Sequence, residues 1–61
     1  KPEDLKQAET MLREGLQARQ KLLGESHPET VFSMRGVADV LRAQGRDEDS
    51  LKMLEQALAR G

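Results

Sequence analysis

Apolar residues recur at spacings of three and four along most of the chain, and glycine interrupts the pattern twice. The first series runs Leu5, Ala8, Met11, Leu12, Gly15, Leu16, Leu22 and Leu23, with Lys, Glu, Gln and Arg between. That is the period of an amphipathic helix over residues 5–23. A second series, Val31, Met34, Val37, Ala38 and Leu41, predicts a helix over 28–43. A third, Ser50, Met53, Leu54, Ala57 and Leu58, predicts one over 47–60. No run shows the two-residue alternation of a strand. The expected fold class is all-α: three antiparallel helices, turned at Gly24 and Gly45.

The helix ends carry their own signals. Pro2, Glu3 and Asp4 stand at the head of the first helix, and carboxylates suit the positive end of the helix dipole. Arg19 and Lys21 lie in its last turns, with Gly24 as the stop. Asp47, Glu48 and Asp49 load the head of the third, and Gly61 closes it. The link "LLGESHPET", Leu22 to Thr30, contains the only histidine. Each of its residues has a local task. Gly24 takes a left-handed conformation, and Pro28 suits a first helical turn, where its missing N–H is not needed. Either Ser26 caps, with Glu29 completing a capping box, or His27 occupies the cap position. One histidine is too few ligands for a metal site, though Glu25 and Glu29 are near in sequence. A general base needs a nucleophile or a pocket beside it. No catalytic residue, metal ligand or cofactor is therefore expected.

Composition narrows the partners. At 61 residues the chain is one small domain or a piece of a larger one, and it has no cysteine to staple it. Net charge is −1 with 34% charged residues of both signs interspersed, the pattern of solvated helix faces. There is no basic patch for phosphates, and Phe32 is the only aromatic, so nucleic acid is not an expected partner. No apolar run approaches the roughly 20 residues of a membrane span, and no signal peptide is visible. A cytoplasmic location is the expectation from these features. The chain opens at Lys1-Pro2 without an initiator methionine, as an excised fragment would.

At an offset of 42 residues, the separation of Met11 and Met53, the chain matches itself. Leu12 meets Leu54 and Leu16 meets Leu58. Ala8 meets Ser50, Gly15 meets Ala57 and Glu14 meets Gln56, so small positions coincide with small ones. A fixed period of this length marks a repeat array. Ala8, Gly15, Ala38, Ser50 and Ala57 are the expected places of close helix approach. This order resembles the tetratricopeptide repeat family, and within it the longer-repeat branch of the kinesin light chain type. The hairpin pattern reads as Met34, Val37, Ala38 and Leu41, then Gly45 in the turn, then Ser50, Leu54 and Ala57. Ala8, Leu12 and Gly15 repeat its second half. "LLGESHPET" is similar to the link between repeats of that branch, and "RAQGR" to the turn within one. Three positions depart from the pattern: Asp47 replaces an aromatic or large apolar residue, Ser50 an alanine, and Gly36 a groove-lining asparagine.

The resemblance implies a single segment over 1–61, with 5–23 as the second helix of one repeat and 28–43 and 47–60 as both helices of the next. It implies a non-catalytic protein-interaction scaffold. The first helix of a repeat would line a groove for a peptide or partner protein, here through Phe32, Arg35, Gly36 and Asp39. Arg35 and Asp39 also read as a plain i, i+4 pair on a solvated face. Repeats bury their cores by stacking, so the end faces of a short array should stay apolar. Met11, Leu51, Leu54 and Leu58 are the expected end-face contacts, covered by neighbouring repeats or a second copy. A self-assembly module is the rival reading. A helical accessory segment of a larger enzyme is the third, although phosphate-loop glycines and a Ser-His-Asp order are absent.

Overall fold

The computed structural model describes residues 2–60, with side chains over 4–59. The expected placements of the Glu3 side chain and of Gly61 lie outside the described residues. Three helices follow one another: α1 (Pro2–Leu23), α2 (Pro28–Ala43) and α3 (Asp47–Arg60). α2 and α3 have the bounds predicted from their stripes and turns. α1 starts at Pro2, ahead of the first apolar position.

α2 is the middle element, and α1 and α3 each pack on it rather than on one another. It therefore supplies most of the core. Met34, Val37 and Leu41 are buried, joined by Leu16 from α1 and Ala57 from α3, with Leu12, Val31 and Met53 packed alongside. Burying one such Met, Val or Leu side chain stabilises the fold by roughly 1.5–3 kcal/mol. Ala38 and Ala57 are 0% and 3% exposed, as expected for close contacts of the α2–α3 hairpin. Ser50 belongs to the same contact for an additional reason. Its hydroxyl donates to the Ala38 carbonyl at 2.9 Å, so the polar group at this close contact is satisfied there.

Gly15 does not act as the close-approach position expected of it. A Cβ there would meet only the guanidinium end of Arg19, at 3.2 Å. Leu22, counted in the apolar series of α1, is mainly in solvent, and Leu23 is 41% exposed, because α2 covers only one side of that helix.

The two turns close by different devices. Gly45 has φ 81°, and its N–H donates to Arg42 O at 2.9 Å, while Arg46 N–H donates to Leu41 O at 2.9 Å. These are the two bonds of a Schellman motif, and the left-handed residue they need explains the glycine. Gly24 has φ 91°, and its carbonyl is held by α2: the Thr30 hydroxyl donates to it at 2.8 Å. Thr30 is fully buried and anchors the link. His27 is the cap of α2. Its carbonyl accepts from Val31 N–H at 3.0 Å, and its Nδ1 accepts from Glu29 N–H at 3.1 Å. Of the two cap residues the sequence left open, the second is the one used.

Candidate interaction surface

The outward stripe of α2 presents Phe32, which is 74% exposed, followed by Arg35 and Asp39, both exposed. Gly36 lies on the flank of this stripe. It is half-buried, and a Cβ there would stand 3.8 Å from Leu12 of α1. Arg35 and Asp39 form no ion pair with each other, and Arg35 has no carboxylate partner among the described residues. Phe32 and Arg35 line a shallow hollow of about 310 Å³ with Ser26, Pro28 and Val31.

Beside it, α2 and α3 form a second hollow of about 450 Å³. Val31, Arg35, Leu54, Ala57 and Leu58 line it. Leu58 is 81% exposed and Leu51, two turns earlier on α3, is 60% exposed. Val31 and Arg35 belong to both hollows. Phe32 and Arg35 of the expected groove and Leu54 and Leu58 of the expected end face thus line two adjoining hollows that share Val31 and Arg35, whereas Gly36, Asp39 and Leu51 line neither.

Met11 is apart from this surface, on α1 beside Lys6, Gln7 and Thr10, and is 71% exposed. Leu22 is 82% exposed and shares its side of α1, since eleven residues make close to three helical turns. Sequence reasoning missed Leu22 as a surface residue. The spacing from Met11 through Gly15 and Ala18 was the available signal.

A polar cluster ties the α2–α3 turn to α1. Glu9 accepts from Arg13 Nε at 2.8 Å, from Gln44 Nε2 at 3.0 Å, and from Arg46 at 3.3 Å. Gln44 also donates to Leu5 O at 3.2 Å. The hydrogen bonds from Arg13 and Gln44, with the nearby positive charges of Arg13 and Arg46, hold the Glu9 carboxyl below its ordinary value. Arg46 in turn bonds Asp49 in the first turn of α3 at 3.0 Å. The Arg13 pair is local, four residues along α1, but Gln44 and Arg46 lie 35 and 37 residues away, so the cluster as a whole had no local signal.

No helix of the described residues is long and apolar enough to cross a membrane. Residues 3–60 match the profile of the family described as "Tetratricopeptide repeat". The chain is similar to "Tetratricopeptide repeat protein 19, mitochondrial" of Rattus norvegicus, at 38% identity over 53 residues. The protein of the same name from Mus musculus is equally similar, at 38% over 53 residues. The match covers 87% of this chain but spans only 14% of the length of those relatives. No solved structure matches the chain.

Proposed function

The chain belongs to the tetratricopeptide repeat family, and from that premise we propose that it is a non-catalytic module that binds another protein or peptide. Repeats of this family generally mediate protein–protein interactions. In this reading α1 is the second helix of one repeat, and α2 and α3 are both helices of the next. The link and turn sequences support a kinesin light chain-type repeat. Phe32, Arg35 and Asp39 face a bound peptide, with Gly36 at the edge. Leu51, Leu54 and Leu58 on one end and Met11 on the other meet a neighbouring repeat or chain. His27 has the structural role of a cap, and neither nucleic acid nor membrane is a partner. The cytoplasmic placement is part of this proposal. It stands against the mitochondrial label in the relatives' names, and imaging of a tagged chain decides between the two.

The observation that carries the reading is the pair of adjoining hollows from Phe32 to Leu58, where apolar side chains stand in water beside a guanidinium that has no ion-pair partner among the described residues. Exposed apolar patches mark interaction sites. The same exposure supports self-association as the second reading. Sedimentation of the isolated chain from low to high micromolar concentration tests both. The mass should rise with concentration, and Leu58→Glu should hold it at that of a monomer. A folded monomer throughout, indifferent to that substitution, would contradict the proposed end-face contacts.

A further inference from the structure

The chain has five hydroxyl side chains, and the fold uses four of them. Thr10 donates to Lys6 O, Thr30 to Gly24 O, Ser33 to Glu29 O and Ser50 to Ala38 O. Thr30 and Ser50 are also buried. Ser26 differs on each count. It is exposed, and it stands in the link between α1 and α2 rather than in a helix. Its hydroxyl makes no hydrogen bond among the described residues, because the cap position of α2 belongs to His27, whose Nδ1 accepts from Glu29 N–H. Ser26 shares the hollow of about 310 Å³ with Arg35, which has no ion-pair partner among the described residues. Pro28, Val31 and Phe32 complete the lining, so Arg35 is the charged side chain of this hollow.

We propose that Ser26 is a phosphorylation site and that Arg35 receives the phosphate within the hollow the two share. A phosphoserine carries about −1.5 to −2 charges at neutral pH and three acceptor oxygens. A guanidinium matches that group with two parallel N–H···O bonds. In the transfer, the bond from Ser26 Oγ to phosphorus forms as the γ-phosphorus of a nucleoside triphosphate parts from its bridging oxygen. The diphosphate leaves, and the hydroxyl proton passes to a base of the kinase. The link suits this reaction better than Thr10 or Ser33, whose helices would first have to open locally. Glu25 before the serine and Glu29 three residues after it make an acid-directed kinase the fitting class. The same carboxylates repel the phosphate, and Arg19, with Nε 4.0 Å from Glu29, offsets part of this. Arg35 is the cation left to hold the phosphate. Once paired, it is withdrawn from any acidic partner, and that consequence alone rests on the peptide-facing role proposed above.

The site is tested by incubating the whole chain with ATP and an acid-directed serine kinase, then reading intact mass and fragment masses. A single phosphate should appear on Ser26, and Ser26→Ala should stay unmodified. No phosphate, or a phosphate on Thr10 or Ser33 instead, would overturn the assignment. The pairing is tested separately on a chain synthesised with phosphoserine at position 26. Phosphorus NMR follows its titration from about pH 4 to about pH 8, around its second pKa of about 6. A cation at the phosphate favours the dianion. The wild-type midpoint should therefore lie about 0.2–0.7 pH units below that of Arg35→Gln, the size of one exposed ion pair. Arg35→Lys should recover part of the difference, because it keeps the charge without the planar fork. The charges of Arg19, Glu25, His27 and Glu29 are common to these chains and cancel in the comparison. Arg35 is exposed, so Arg35→Gln leaves the fold intact, and circular dichroism checks this. Equal midpoints in wild type and Arg35→Gln would overturn the pairing. Both measurements use the chain alone, so the absence of a peptide partner would leave their outcome unchanged.

Discussion

α1 and α3 carry matching residues at an offset of 42, yet α2 covers a different stripe on each. On α1 the covered pair is Leu12 and Leu16, and Met11 is 71% exposed. On α3 the covered pair is Met53 and Ala57, and Leu58 is 81% exposed. The two stripes lie one residue apart in sequence, about 100° round the helix. Each of these helices thus has two apolar sides, and a single middle helix can cover one side of each. The surface left over on α3 joins the outer face of α2 to form the candidate site. The surface left over on α1, from Met11 to Leu22, has no contact with it.

Large-to-small substitutions at paired positions break this comparison most sharply. Leu16→Ala should destabilise the chain by about 2–5 kcal/mol, the cost of a cavity beneath α2. Leu58→Ala, at the corresponding place on α3, should change stability by less than about 0.5 kcal/mol. Urea midpoints of the two variants check this, and equal losses would end the account. Overpacking comes next in size. Ala57→Leu and Ala38→Leu should each cost about 1–3 kcal/mol, since both positions lack space between α2 and α3. Gly15 corresponds to Ala57 but meets no other helix, so Gly15→Ala should stabilise the isolated chain by about 0.5–1 kcal/mol. Only the mobile end of Arg19 has to move. A thermal melt that fell instead would show that Gly15 is already crowded.

The smallest expected effect concerns Glu9 against Leu51. Because the folded state holds the Glu9 carboxyl below its ordinary value, Glu9 adds stability above its unfolded pKa of about 4.3. That contribution is lost as pH falls through the lowered folded value. Glu9→Gln should therefore cost about 0.2–1 kcal/mol at neutral pH, the range of exposed pairs, and should flatten the acid side of the stability profile. Leu51→Gln should leave that profile as it is. Denaturation midpoints measured between about pH 6 and about pH 3 show the difference.

The helices were legible because their ends are chemically marked. Gly24, Pro28, Gly45 and the acidic run from Asp47 each impose a local conformation without help from the rest of the fold. Burial was less legible. The first apolar series contained both stripes of α1, and nothing local says which one a neighbour will cover. Leu16 and Leu22 therefore read alike although one is 6% and the other 82% exposed. Thr30 stands four residues before Met34, on the core side, but its hydroxyl kept it out of the apolar series. Only the fold shows that the Gly24 carbonyl is there to accept its hydrogen bond. In the same way Ser50 read as merely small. Of the candidate site, Phe32 and Arg35 were expected from the family resemblance, and Leu51, Leu54 and Leu58 from the stacking of repeats. The adjoining of the two hollows was not expected, because it depends on Val31 and Arg35 lying against α3.

The most direct measurement of which stripe is covered uses the absence of cysteine in the chain. Four single-cysteine variants, Met11→Cys, Met53→Cys, Leu16→Cys and Leu58→Cys, can be compared by their rates of thiol labelling under native conditions. Positions 11 and 58 should react at nearly the rate of the unfolded chain, and positions 16 and 53 should be protected. Similar rates within each corresponding pair, 11 with 53 and 16 with 58, would contradict the claim that α2 covers a different stripe on each helix.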